Sequence, residues 1–154
     1  MADVEKAAEK TPIRDQIMNL ETFMKAMPAQ EQVELPVYHH FSKGVYAREL
    51  RIPKGHVVVG KIHKYQNLNI LAQGDITVVT EDGPLRIKAP AVVVSPPGVK
   101  RVGYAHEDTV WICVHATEQT DLDAIEEEVI AKTYDEVPEL QAKAAPEISD
   151  GEQP

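Results

Sequence analysis

The chain has 154 residues, 43% of them hydrophobic and 5% aromatic, with a net charge of −9, which is enough apolar material for one ordinary domain core. Its one cysteine, Cys113, excludes an intramolecular disulfide and a cysteine-based zinc cluster. No apolar run approaches the roughly 20 residues of a spanning helix, and MADVEKAAEKTP lacks the apolar segment of a signal peptide, so a cytoplasmic protein with no membrane partner is expected.

The charge is unevenly spread. Residues 1–43 sum to −2, residues 44–118 to +2 and residues 119–154 to −9. The acidity is therefore a C-terminal property, and the middle of the chain is slightly basic. Its most basic stretch, KGHVVVGKIHK from Lys54 to Lys64, falls short of the basic, aromatic-bearing surface of a nucleic-acid binder. No nucleic-acid partner is expected.

In chain order, residues 1–12 are small and charged and read as a disordered N-terminus. Ile17, Leu20, Phe23, Met24 and Met27 recur at helical spacing, and Pro28 ends the run, predicting a helix within residues 13–28. This helix reads as a strap on the domain or on a second subunit. From 33 to 117 the texture changes to about nine short β-like runs broken by SKG, PKG, QGD, EDGP, PPG and HED. EDG is a hairpin signal, with Gly83 tolerating positive φ. Nine strands without an intervening helix argue for an antiparallel sandwich or barrel. Thr120 and Asp121 can cap a second helix, within 118–132, on which Leu122, Ile125, Val129 and Ile130 form a stripe. Residues 133–154 read as an acidic disordered tail.

The stretch Gly60 to Gly74, GKIHKYQNLNILAQG, concentrates the unusual residues. Lys61, His63, Tyr65, Asn67 and Asn69 fall at every second position, so on one continuous strand they would share a face. Such a row needs a cavity, a partner or water. On the last long run, Trp111, Cys113 and His115 share a face, and Trp111 is expected to pack against the flanking helices or, alternatively, to offer a stacking platform.

With these segments in view, Gly60–Gly74 and the later PPGVKRVGYAHEDTVW resemble the two conserved motifs of the cupin superfamily. The resemblance implies a mainly β fold: a single cupin-type double-stranded β-helix barrel, an antiparallel jelly roll, with an N-terminal and a C-terminal flanking α-helix. Anchored on Gly74, the first motif places Lys61 and His63 at its two histidines and Asn67 at its glutamate. In the second, Arg101 stands at the histidine. His63 is thus the one retained ligand position of a degenerate metal site. The runs Gly60–His63, Pro97–Arg101, Tyr104–Asp108, Val110–His115 and Thr120–Leu122 are similar to those of small cupin-like proteins encoded by tailed bacteriophages, which implies a phage or prophage origin, with virion association and particle components as partners.

Two cations at Lys61 and Arg101 would repel in a barrel mouth unless an acid pairs with them or an anion binds. Asp75, Glu49, Glu107 and Asp108 are candidates for that acid. The alternative is a pocket for a small anionic ligand, a phosphate, nucleotide, acidic sugar or carboxylate, held by Lys61, His63, Tyr65, Asn67, Asn69, Arg101, Tyr104, Trp111 and His115. No cofactor is expected and catalysis is not demanded. Three functions follow: a non-catalytic binding cupin, a structural oligomerisation module, or a metal-dependent isomerase or oxygenase in which His56, His106 or His115 supplies missing ligands. A homodimer or higher homo-oligomer suits an apolar helix at each end of a small barrel.

Overall fold

The computed structural model describes residues 12–138; the N-terminal stretch and most of the acidic tail lie outside the described residues. Helix α1 spans Ile13–Lys25. It stops three residues before Pro28, because a proline disfavours helical backbone in the residue before it. Ten strands follow: β1 Val37–Ser42, β2 Val45–Ile52, β3 Val57–Val59, β4 Ile62–His63, β5 Asn67–Gln73, β6 Asp75–Thr80, β7 Gly83–Lys88, β8 Ala91–Ser95, β9 Val102–Ala105 and β10 Thr109–Ala116. Helix α2, Leu122–Val129, and a short strand β11, Ile130–Ala131, complete the order.

The strands form a five-stranded sheet, β1-β2-β10-β5-β8, a four-stranded sheet, β3-β9-β6-β7, and a two-stranded pair, β11-β4. Every pairing is antiparallel. The expected hairpin turn is present, with Thr80 opposite Gly83 and Gly83 at φ +106°.

Alternation decides which side chains point inward. Ile52, Leu71 and Trp111 from the larger sheet meet Ile76, Val78 and Ala105 from the smaller one in a single cluster. This is the jelly-roll core expected for the 33–117 segment. Helix α1 lies against β6 and buries Ile17, which is 4% exposed. A buried ion pair fixes the helix: Lys100, which follows the PPGV turn, donates to Glu21 at 2.7 Å.

At the other end, Asp121 caps α2 as expected, its carboxylate accepting from the Ala124 amide at 3.0 Å. The helix is shorter than the sequence suggests. It gives way at Ile130 because residues 130–131 turn extended and pair with Ile62 and His63. The expectation of a loose tail from 133 onward is overturned for its first residues. Tyr134–Glu136 forms a 3-10 turn, and Val137, at 0% exposure, packs with Ile62 and Ala131. One buried valine outweighs a polar local composition, which is why composition misled.

Val137→Asp would bury an unpaired carboxylate in that cluster. Its expected cost is about 2–4 kcal/mol, seen as a lower urea midpoint with unchanged m-value. An unchanged midpoint would mean that the segment does not pack as described.

Candidate functional site

The continuous polar row anticipated from Lys61 to Asn69 does not form. The backbone breaks it: β4 ends at His63, and the next amide, that of Lys64, donates to the Val129 carbonyl at 2.7 Å, while the His63 carbonyl accepts from Gly98 at 2.8 Å. Strand β5 then begins afresh at Asn67. The expected face therefore divides into three groups.

Tyr65 sits in the β4–β5 turn, 48% exposed, and is not among the residues that line the interior cavity. Tyr104 points outward from β9, 43% exposed, with its ring edge-on to His106 at 4.9 Å; the neighbouring Gly103 faces in, as strand alternation requires. These two are not brought to the other candidates. Asn67 and Asn69 are buried, at 5% and 1%, and largely occupied with each other. Asn69 Nδ2 donates to Asn67 Oδ1 at 3.0 Å and to Ser95 Oγ at 2.5 Å. Asn69 Oδ1 accepts from the Trp111 indole at 3.1 Å and from Cys113 Sγ at 3.0 Å.

The remaining candidates, Lys61, His63, Arg101, Trp111 and His115, do converge on one cavity of about 980 Å³. Trp111 belongs to the barrel core rather than to a contact with the flanking helices, since it projects from the concave side of β10. The Arg101 guanidinium lies 5.9 Å from its ring centroid, within cation–π reach. The His63 and His115 rings stack at 5.2 Å, and the stack continues to Tyr46 at 6.2 Å and on to His39 at 5.9 Å. The Tyr46 hydroxyl and His39 Nδ1 lie 2.7 Å apart.

Two cavity residues escaped the sequence reading. Arg48 occupies the inward register of β2, directly opposite Cys113. The signal was the alternation Tyr46, Arg48, Leu50, Ile52, in which an arginine takes a core position. Glu126 of α2 is the other, and it takes Lys61 as its ion-pair partner. No local pattern joins them.

None of the anticipated acids reaches the interior. Asp75 holds Arg86 through two hydrogen bonds of 2.9 and 2.8 Å, Glu49 holds Arg51 and His40, Glu107 lies 4.0 Å from Lys54, and Asp108 accepts from the Lys54 amide. Strand polarity puts these on outer faces or turns. The acids that do border the cavity are paired, Glu21 with Lys100 and Glu126 with Lys61, or lie exposed on a second 3-10 turn, Ala29–Glu31, as Glu31 does. Among the described residues, Arg48 and Arg101 have no carboxylate within ion-pair distance.

This electrostatic setting dictates protonation. Burial, then His115, Arg101, Arg48 and Lys61, push His63 down to about 3. Burial and Arg48 lower His115 as well. Both rings are neutral at neutral pH. Burial draws Arg101 below its ordinary range yet leaves it a cation, and burial raises the Cys113 thiol, which stays protonated and donates to Asn69.

No family profile matches the chain, and no curated protein matches it. Solved structures do resemble it. An RmlC-like cupin family protein with a double-stranded β-helix fold from Methanocaldococcus jannaschii is 18% identical, with a TM-score of 0.48, over 60% of this chain and 88% of its own. KdgF from Halomonas sp. is also 18% identical, with a TM-score of 0.49, over 59% of this chain and 86% of its own. A mutant of salicylate 1,2-dioxygenase from Pseudoaminobacter salicylatoxidans is 11% identical, with a TM-score of 0.51, over 77% of this chain and 35% of its own. The fold is a cupin-type double-stranded β-helix. At these identities the likeness concerns architecture alone.

Cupin architecture raises the question of a divalent metal near His63. The residues present do not fit one. Among the described residues no three His, Cys, Asp or Glu side chains gather to hold a metal ion, whereas a protein-held transition metal wants three or four N, O or S donors. His56 and His106, anticipated as replacements, are engaged with the Lys54 carbonyl and the Thr77 hydroxyl. His115 alone joins His63, and Arg48 and Arg101 add positive charge beside the pair.

The depressed imidazoles make a signed prediction. Above the ordinary histidine value near 6.5, His63 is neutral in both folded and unfolded chains and pH has no hold on it. As pH falls from about 6.5 toward about 3 the unfolded chain takes up protons that folded His63 refuses, so stability is lost, by up to about 1.4 kcal/mol per pH unit for each such group. Urea unfolding at pH 7 and pH 5 should show this slope, and His63→Gln should flatten it. The same slope in the variant would place the neutral histidine elsewhere.

Proposed function

We propose that this protein is a non-catalytic, phage-type cupin that binds a small anion in the mouth of its barrel. The observation that carries the reading is the pair Arg48 and Arg101, two guanidiniums turned into one cavity with no carboxylate within ion-pair distance among the described residues; Glu126, bound to Lys61, feels Arg48 only at longer range. Partly buried cations left unpaired are costly, and an anion removes that cost. Arginine also presents a planar fork that a carboxylate or phosphate matches with two parallel hydrogen bonds. Lys61, although tied to Glu126, adds positive potential at the rim, and the neutral rings of His63 and His115 can donate or accept without opposing the anion.

Support for a binding role over a catalytic one comes from the same groups. Neither His63 nor His115 has a carboxylate hydrogen-bond partner among the described residues to orient it as a base. Cys113 is protonated and engaged. The phage-type assignment rests on the shared runs Gly60–His63, Pro97–Arg101 and Val110–His115.

One observation favours an accompanying role as an oligomerisation module. Strand β8 ends the hydrogen-bonded order of its sheet, carries no charge along Ala91–Ser95, and turns Val92 and Val94 outward at 66% and 53% exposure beside Leu68 at 43%. Edge strands are ordinarily guarded by charge or proline within the strand. A second copy of the same strand, antiparallel, would cover this one as a homodimer.

Anion binding predicts a rise in melting temperature on titration with phosphate, nucleotides, acidic sugars or carboxylates. Stabilisation should weaken at least tenfold in concentration in Arg48→Gln and in Arg101→Gln. No stabilisation by any anion, or unchanged behaviour in both variants, would defeat the reading. For the dimer, sedimentation should give a two-chain species that Val92→Lys with Val94→Lys converts to monomer; a wild-type monomer at all concentrations would rule it out.

A further inference from the structure

The two guanidiniums sit at a boundary within the cavity. Reading inward along β2, the interior side chains are Tyr46, Arg48, Leu50 and Ile52; along β10 they are His115, Cys113 and Trp111. Arg48 and Cys113 are directly opposite each other, so the charged layer lies between a layer of rings and an apolar floor. That floor is the core cluster itself, with Ile76 and Val78 contributed by the second sheet.

One wall is apolar as well. Leu20, Met24 and Met27 of α1 and its following turn border the same space, and the Lys100–Glu21 pair holds the helix in place. Methionine, with its flexible and polarizable side chain, fits ligands of varied shape. The volume, about 980 Å³, reaches the upper end of what small-molecule sites offer.

What the cavity lacks is an array of uncommitted hydrogen-bonding groups. Asn69 makes four hydrogen bonds to Asn67, Ser95, Trp111 and Cys113. Lys61 is paired. Among the described residues the uncommitted polar side chains of the interior are Arg48, Arg101, His63 and His115, gathered together in place of being spread around the lining, while Glu31 lies exposed at its edge. A sugar phosphate or nucleotide would bring many hydroxyl and ring polar atoms against Leu50, Ile52, Met24 and Met27, where they would lose water and gain nothing.

We infer that the ligand class of this site is a monoanion with an apolar body, a medium-chain or aromatic carboxylate whose head group lies between Arg48 and Arg101 and whose body lies against Leu50, Ile52 and the apolar face of α1. This rests on the anion-binding reading above and narrows it. The arrangement separates the two functions in space: the guanidiniums select the charge, and the floor and helix select the length.

The test uses the full chain and its single tryptophan, Trp111, as the reporter, since its ring borders the cavity beneath Arg101. Fluorescence titration with acetate, butanoate, hexanoate and octanoate should give affinities that rise roughly three- to fourfold per added methylene. Benzoate should bind more tightly than acetate, and glucose 6-phosphate and adenosine monophosphate more weakly than octanoate. Octanoate should exceed 1-octanol at least tenfold, and Arg48→Gln with Arg101→Gln should abolish that advantage while leaving 1-octanol binding unchanged. Met24→Ser should flatten the chain-length dependence while leaving acetate unaffected. An affinity independent of chain length, with phosphate esters binding at least as well as octanoate, overturns the ligand class and leaves anion binding standing. Absence of binding by every anion, or octanoate and 1-octanol binding equally, overturns the anion reading itself.

Discussion

The carboxamide of Asn69 is the point on which the interior depends. It is almost wholly buried and joins three strands at once, its own β5, Ser95 of β8, and Trp111 with Cys113 of β10. A buried indole N–H without an acceptor costs on the order of 1–3 kcal/mol, so Asn69 determines where the only tryptophan can sit. With the indole fixed, its face is turned toward Arg101. A residue expected among the ligand-binding candidates instead builds the wall against which the ligand-facing groups are arranged.

From that wall the electrostatics follow. A guanidinium over an aromatic face is partly compensated without an acid, and Arg101 can therefore stay charged in a half-buried place. Arg48 faces the same space from the opposite sheet register. Burial first, and then Arg48 beside both rings and Arg101 beside His63, keep the imidazoles of His63 and His115 neutral, and neutral rings can stack where protonated ones would repel. The ring column runs from His63 through His115 and Tyr46 to His39.

The sequence revealed the fold well because its signals are local. Turn residues at short intervals, the EDG hairpin and the Asp121 cap each depend on neighbours a few positions apart. That Trp111, Cys113 and His115 share a face was equally legible, since strand alternation is a local rule, but alternation does not say which face is the inner one, and Trp111 lies in the barrel core where a contact with the flanking helices was expected. The site was less legible. The Lys61–Asn69 row failed because the hydrogen bonds of His63 and Lys64 go to Gly98 and Val129, far along the chain, and nothing near residue 64 announces a break. Arg48 was missed because an arginine on an alternating strand is ordinarily solvent-facing, and only the register with Cys113 turns it inward. The pairing of Lys61 with Glu126, and of Lys100 with Glu21, joins segments that no periodicity relates. Composition misjudged Val137 for a similar reason, its partners Ile62 and Ala131 lying in separate elements.

The short pairing of β11 with β4 bears on how the molecule comes into being. His63 is held in place by backbone from residues 130–131, while the sheets around it close through strands that precede those residues in the chain. Contacts between such distant segments form late, because the loop they close must be ordered first. The barrel can therefore assemble as a shell before its ring column is complete, and the cavity acquires its final electrostatic character only when residues 130–131 pair with β4. A chain interrupted before Ile130 would be a barrel without a finished site.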